Sequence, residues 1–205
     1  MGYKRRVGTQ KTIFFATCNL NKFEEASDIL SKYRINITRA NIKTTEIQAD
    51  NVEDIAMAAV TQSSSMGFLP VFVEDAGLFI NALKGFPGPF SSYVYRTIGT
   101  RGVLKLLEGE KNRLSEFRSS VAFYASNDLK KCFSGTAFGK ISEKERGIRG
   151  FGFDPIFVPA KGDGRTFAEM TIKEKNLLSH RADALKKFAE WYLKKFDVKN
   201  MFSEN

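Results

Sequence analysis

The sequence predicts an α/β fold, and three observations carry that expectation. Residues 12–16 (TIFFA) are apolar and partly β-branched, and after a polar turn residues 22–30 repeat apolar side chains at helical spacing. Residues 69–73 form a second apolar run that stops at two adjacent carboxylates, Glu74 and Asp75. Phe117, Val121 and Phe123 then alternate with polar positions and lead through Asn127 and Asp128 into residues 129–141, the pattern of a hairpin.

In chain order, residues 12–16 read as an interior strand and TCNLN as a turn. Phe23, Ala26, Ile29 and Leu30 give the next helix its packing face, with Glu24 and Glu25 in its first turn, where the helix dipole favours acids. This strand-turn-helix unit puts Thr17, Asn19 and Lys22 at the carboxyl edge of a sheet, where open α/β sheets take ligands. Residues 34–45 read as a polar edge strand leading to Glu46, and Asn51, three positions before Asp54, as the cap of a helix over 55–62. The strand at 69–73 is expected to end at Glu74 and Asp75. Neighbouring strand side chains face opposite ways, so the two acids share a pocket only if the chain bends, for which Gly77 is suited.

Residues 85–92 (GFPGPFSS) form a stiff loop. Ser91 or Ser92 is expected to cap a short helix ending at Ile98, and Thr100 another that buries Val103, Leu104 and Leu107. The hairpin supplies a second lobe, joined by a charged stretch, 143–150, to GFGFDPIFVP. Thr171 and Glu174 fit a capping box, and Ser179 caps a terminal helix packed through Ala182, Leu185, Phe188, Ala189, Tyr192 and Phe196. The chain thereby divides into a basic extension over 1–11, one two-lobed domain over 12–196 and a polar tail over 197–205.

Nineteen Phe residues and 42% hydrophobic content are enough for one substantial core. No apolar run approaches the roughly 20 residues that cross a bilayer, and no signal-like segment follows the basic N-terminus, so the expected setting is the cytoplasm. Cys18 and Cys132 make no zinc or redox pattern and are expected to be free thiols. A formal charge of +9 suits a nucleic acid, a small polyanion or plain solubility. The cations are dispersed along the chain, which favours solvated surface over a nucleic-acid stripe.

Thr17 and Asn19 can donate hydrogen bonds to phosphate and Lys22 can add a point charge, although Lys22 taken alone is a surface lysine. The segment lacks the glycine-rich loop of a P-loop ATPase. Glu46, Glu74 and Asp75 are hard-oxygen ligands suited to magnesium. Glu46 also reads as an exposed carboxylate, whereas an acidic pair closing an apolar strand needs solvent, a cation or strong hydrogen bonds. Phe151, between glycines and ahead of Asp154, is either core or an aromatic face for a base. His180, the single histidine, has no serine nucleophile motif to serve. With Lys175 and Arg181 near, it reads as a phosphate or base contact or as part of a helix start.

Taken in order, the segments FATCNLNKFEE, FVEDAGLFINALKGFPGPFSSYV, GFGFDPIFVP, FAEM, EKN and SHRADAL resemble the inosine triphosphate pyrophosphatase family, also called Ham1-like, over residues 12–192. The resemblance implies an elongated mixed β-sheet flanked by helices, with two lobes around a central active-site cleft, and assembly as a homodimer. It implies magnesium-dependent hydrolysis of noncanonical purine nucleoside triphosphates (ITP, dITP, XTP) to monophosphate and pyrophosphate, with no specific nucleic acid and no membrane as partner. By motif, Thr17, Asn19 and Lys22 match triphosphate contacts, while Glu46, Asp75 and, as a helper, Glu74 match the metal and water-activating set. Phe151, Gly152, Phe153 and Asp154 match the base pocket; Lys175, His180 and Arg181 match phosphate or base contacts, and Ser91 and Ser92 help shape the cleft. Asp75 is the expected general base, with Lys22 balancing charge beside it.

The chain departs from the family pattern at four positions. Cys18 and Asn21 stand where the family has two loop glycines, which challenges the loop's expected backbone freedom. Ala76 stands for a hydroxyl residue and Ala59 for a lysine. Rival expectations are a pyrophosphatase for other modified nucleoside triphosphates and a basic nucleic-acid-binding protein.

Overall fold

The computed structural model describes residues 12–196, so the expected extension (1–11) and tail (197–205) lie outside the described residues. In chain order the elements are β1 (Ile13–Ala16), α1 (Leu20–Ser31), β2 (Ile37–Ala40), α2 (Val52–Ser65), β3 (Val71–Ile80), β4 (Pro87–Gly88), α3 (Ser91–Thr97) and α4 (Gly99–Leu106). They continue as β5 (Leu114–Ser126), β6 (Leu129–Ile141), β7 (Phe157–Pro159), α5 (Ile172–Lys175) and α6 (His180–Phe196). The strands form one open seven-stranded sheet in the order β2-β1-β3-β5-β6-β7, with β4 also on β3. The first three strands are parallel and the rest antiparallel, so the sheet is mixed, as expected.

Strand alternation sorts β3 between two cores. Phe72 faces α1 and α6, where it stacks on Phe15 with ring centroids 4.4 Å apart and meets Phe123 and Phe188. Val71 and Val73 face the other way, onto Ala56, Ala59 and Val60 of α2. Farther along the same strand, Leu78 and Ile80 enter a separate apolar cluster with Val103, Phe117, Phe157 and Phe167. Two lobes therefore grip opposite ends of one strand.

The expected strand at 69–73 is longer than its apolar run. β3 does not stop at Glu74 and Asp75, because each of its residues from Val71 to Ile80 pairs with β5. The acids sit mid-strand. Gly77 does not bend the chain; a Cβ there would strike the Gly88 carbonyl, so its absence lets β4 lie against β3. The polar strand expected over 34–45 is correspondingly short, leaving the sheet after Ala40, where β1 also ends.

Local capping was partly legible. Asn51 caps α2 by accepting from the Asp54 N–H at 2.8 Å, Ser179 caps α6 through the Ala182 N–H at 3.2 Å, and Thr171 with Glu174 closes the capping box of α5. α3 and α4 begin without side-chain caps. Ser91 instead accepts from the Leu78 N–H at 2.8 Å and donates to the Gly88 carbonyl at 2.7 Å, and Thr100 donates to Glu145.

The start of α6 lies directly on β6. A Cβ at Gly135 would collide with the backbone of His180 and Ala184, so only a bare glycine permits that approach. Gly135→Val is expected to destabilise the fold by about 1–3 kcal/mol, the usual cost of overpacking. Urea unfolding checks it, and a midpoint equal to wild type would show that this approach is not needed.

Candidate active site

The cleft exists because one edge of β3 is left open. β1 pairs with it only at Val71 and Phe72, and β4 rejoins the same edge at Leu78 and Phe79, while β5 covers the other edge throughout. Residues 73–77 are left without a partner on that side. The start of α1 crosses the gap, and a cleft of about 830 Å³ opens beside it, a volume typical of small-ligand sites. All the residues singled out from the sequence line this cleft.

Glu74 and Asp75 do face opposite ways, yet Lys22 reaches both from the strand edge. Its Nζ lies 3.0 Å from Glu74 Oε2 and 3.9 Å from Asp75 Oδ1, and it donates to the Glu74 carbonyl at 3.1 Å. Asn19 caps α1 by accepting from the Lys22 N–H at 3.2 Å, which commits its Oδ1 and leaves Nδ2 as its donor. Thr17 accepts from the Asn19 N–H at 3.1 Å, so its own hydroxyl proton remains available. Cys18 and Asn21 demand no unusual backbone: among the described non-glycine residues only Arg34 and Lys84 have positive φ. Asn21 is simply helical.

The two acids differ sharply in environment. Burial opposes ionisation of Glu74, but the charges of Arg181 and Lys22 with the Ser119 hydrogen bond overcome it and hold the carboxyl well below the usual range. Asp75 is pushed up to about 6, chiefly by burial and also by the charges of Glu74 and Glu46, against the pull of Lys22. Its side chain keeps 27% exposure on the cleft side. Glu46 is exposed on the cleft wall.

At the other end, Phe151 is half-buried with two cations over its ring, Lys175 Nζ at 4.8 Å and Arg181 Cζ at 5.4 Å from the centroid. Lys175 donates to Asp154 at 2.6 Å, and the Phe151 N–H donates to the same oxygen at 2.9 Å. Burial pushes the Asp154 carboxyl up, against that pull from Lys175. Phe153 belongs to the second-lobe core and meets Tyr95 edge-on. Ser91 has its hydroxyl spent on backbone, leaving exposed Ser92 as the available serine. His180 stacks flat on Phe117, centroids 4.5 Å apart. Burial and the Arg181 charge lower its pKa well below the ordinary histidine value, so it is neutral.

Three cleft-related residues escaped the sequence reading. Glu25 is not a first-turn acid: α1 starts at Leu20, and Glu25 turns inward to pair with Lys175 at 2.8 Å and with Arg181. The signal was weak, since only its place one turn after Lys22 marked it. Lys43 and Arg96 add exposed cations to the wall. Arg96 follows Ser92 by one helical turn and donates to its carbonyl at 3.3 Å, a spacing that could have been read. Cys18 and Cys132 are free thiols, as expected. Among the described residues no helix is long and apolar enough to cross a membrane.

An open mixed sheet with a broken strand edge, cations on the cleft wall and an aromatic face at its far end defines an α/β protein built to hold a small anionic ligand. The chain belongs to the Ham1 family, whose model matches residues 13–191. It is 48% identical over 180 residues to a dITP/XTP pyrophosphatase of Methanopyrus kandleri, covering 88% of this chain and 95% of that one. A dITP/XTP pyrophosphatase of Pyrococcus horikoshii is 49% identical over 179 residues, covering 87% and 95%. Among solved structures, a HAM1 protein from Coxiella burnetii aligns with a TM-score of 0.79 at 27% identity, covering 89% of this chain and 98% of that one.

Neutral, buried His180 makes stability depend on pH. The unfolded chain takes up its proton as pH falls through about 6.5 and the folded chain does not, so acidification favours unfolding through this group. Relative to His180→Asn, the wild type is expected to lose about 1.4 kcal/mol per pH unit below that value. Urea unfolding of both proteins between pH 8 and pH 5 tests it; parallel curves would contradict it.

Proposed function

We propose that this chain hydrolyses ITP, dITP and XTP to the nucleoside monophosphate and pyrophosphate. The carrying observation is Asp75, a carboxylate facing the cleft between Lys22 and the exposed Glu46, with its pKa raised to about 6. Such a group is ionised at neutral pH yet more basic than an ordinary aspartate, as a general base requires. Sequence identity near one half with pyrophosphatases of dITP and XTP, over almost their whole length, supports the same reading.

The triphosphate lies along the start of α1, where Thr17, Asn19 and Lys22 offer hydroxyl, amide and ammonium donors. Asp75 takes the proton of a water that attacks the α-phosphorus. The bond to the bridging oxygen breaks, and pyrophosphate leaves with that oxygen. Lys22 balances charge as it develops on the phosphates. No covalent enzyme intermediate is involved.

Magnesium fits the donor set. Glu46 and Asp75 are close enough for the one charge to raise the pKa of the other, an arrangement that a divalent cation relieves. Among the described residues no group of three or more acidic, His or Cys side chains surrounds one point. Glu46 with phosphate oxygens and water would hold magnesium without a dedicated protein cage, which leaves the Asp75 carboxylate free to take a proton. When bound it supplies neutralisation of the triphosphate charge. Glu74, already engaged by Lys22, Ser119 and Arg181, is left out of that set.

Base choice follows from donors. A 6-keto purine presents an acceptor where adenine presents an amino group, and an arginine offers donors only. Arg181 is held beside Phe151 by Glu25 and Glu74, so its guanidinium meets an inosine or xanthine edge without reorganising. A homodimer in the cytoplasm belongs to the same proposal, and light scattering of the purified protein tests the dimer.

With magnesium, ITP is expected to give equal amounts of monophosphate and pyrophosphate, and ATP little of either. Orthophosphate as the first product would overturn the proposal. Asp75→Asn is expected to lower kcat by about 10²–10⁴-fold with an unchanged melting temperature, the range for loss of a general base. Normal turnover in that folded variant would remove Asp75 from the role. Phe151→Leu is expected to raise KM for ITP roughly 2- to 12-fold, the worth of one aromatic contact; an unmoved KM would place the ring in the core instead.

A further inference from the structure

Glu74 has no exposed side-chain surface, and two parts of the cleft meet on it. Its Oε1 accepts from the Ser119 hydroxyl at 2.6 Å and lies 3.2 Å from Arg181 Nε. Its Oε2 lies 3.0 Å from Lys22 Nζ and makes no hydrogen bond. From Arg181 the charges continue through Glu25 to Lys175 and Asp154, and Asp154 accepts from the Phe151 N–H. On the other side Lys22 leads to Asp75. The sign alternates at every step from the base end of the cleft to its phosphate end.

The physical consequence lies in the sharing. Arg181 and Lys22 are both largely removed from water, and each depends on Glu74 for part of its compensation. A buried charge that loses its partner is costly, so neither cation can change its hold on Glu74 without altering the hold of the other. When a phosphate engages Lys22, the Glu74 charge bears more fully on Arg181 and fixes the guanidinium that faces the base. Conversely, an acceptor on the base steadies Arg181 and frees Glu74 to hold Lys22 in place. Ser119, which does not line the cleft, anchors the carboxylate between them.

We infer that Glu74 is a positioning residue that couples base recognition to the phosphate end of the site, so that the correct base raises turnover as well as affinity. This inference rests on the reading of the chain as a purine triphosphate pyrophosphatase. It assigns Glu74 a task distinct from holding metal, and one that requires no contact with substrate.

Two measurements on the full chain test it. In calorimetry, saturating tripolyphosphate with magnesium is expected to tighten inosine binding about fivefold or more in the wild type, and inosine to tighten tripolyphosphate binding by the same factor. In Glu74→Gln that mutual effect is expected to vanish. In kinetics, Glu74→Gln is expected to lower kcat for ITP by about 10-fold or more beyond any loss it causes with ATP, the scale of effect that a small misplacement of a charge-balancing group produces. A merely structural residue would scale both substrates together. Should Glu74→Gln fail to fold, Glu74→Asp and Ser119→Ala keep the charge and loosen its placement, and are expected to give graded losses of the same coupling. Independent binding of inosine and tripolyphosphate to the wild type would overturn the inference, as would equal losses of kcat on ITP and ATP with coupling intact. A wild type that couples the two ligands yet does not cleave ITP would instead reject the enzymatic reading and leave the coupling standing.

Discussion

The organisation of the cleft depends on a single buried arrangement: Arg181, 2% exposed, held between the carboxylates of Glu25 and Glu74. Removing three charges from water is expensive, and their mutual attraction does not make the fold more stable than a well-packed apolar core would be. What the arrangement supplies is position. Glu25 comes from α1, Glu74 from β3 and Arg181 from α6, so three elements distant in sequence must meet within hydrogen-bond distance or leave a charge unpaired. Lys175 and Asp154 extend the same demand to α5 and to the turn behind Phe151. The cations that line the cleft are therefore held in place by the fold itself, the kind of preorganisation that lowers reorganisation where charge develops.

The sheet answers the same requirement by different means. A strand fully paired on both edges has no backbone group to spare at its middle and no gap beside it for another element to cross. β3 escapes this because β1 is only four residues long and β4 only two, leaving an opening between them. The two lobes then hold β3 at its ends, through Phe72 on one side of the opening and Leu78 and Ile80 on the other. Asp75 stands in that opening on a strand that cannot swing, which suits a residue whose value lies in where its carboxylate points.

The departures from the family pattern have modest structural consequences. Cys18 donates to the Ile42 carbonyl at 3.2 Å, a contact that no glycine could make, and so ties the turn before α1 to the segment leading toward Glu46. Ala76 contributes its N–H rather than a hydroxyl, and that N–H favours the ionised form of Asp75. Ala59 is buried in the α2 core, where a lysine would need an exit toward the cleft. The cations left on that part of the cleft wall are Lys22 and the exposed Lys43 and Arg96.

The sequence by itself determined the features that arise between near neighbours. Helical and strand periodicity, the Asn51 and Ser179 caps and the Thr171–Glu174 box depend on residues within four positions of one another, and they were legible for that reason. The grouping of acids, cations and an aromatic ring into one site was legible through motifs whose order in the chain resembles a known family. Only the tertiary structure decided which group each charge would serve. Glu25 looked like a helix-dipole acid until α6 brought Arg181 to it from 156 positions away. The strand at Glu74 looked finished because its apolar run stops there, but β5 supplied partners for another six residues. Ser91 and Thr100 looked like caps, yet long-range partners took their hydroxyls. Side-chain chemistry is local, whereas pairing depends on what packing carries to the same place. Glu74 and Asp75 are adjacent acids in the chain, and only their opposite faces on β3 made one a buried counterion and the other a carboxylate open to the cleft.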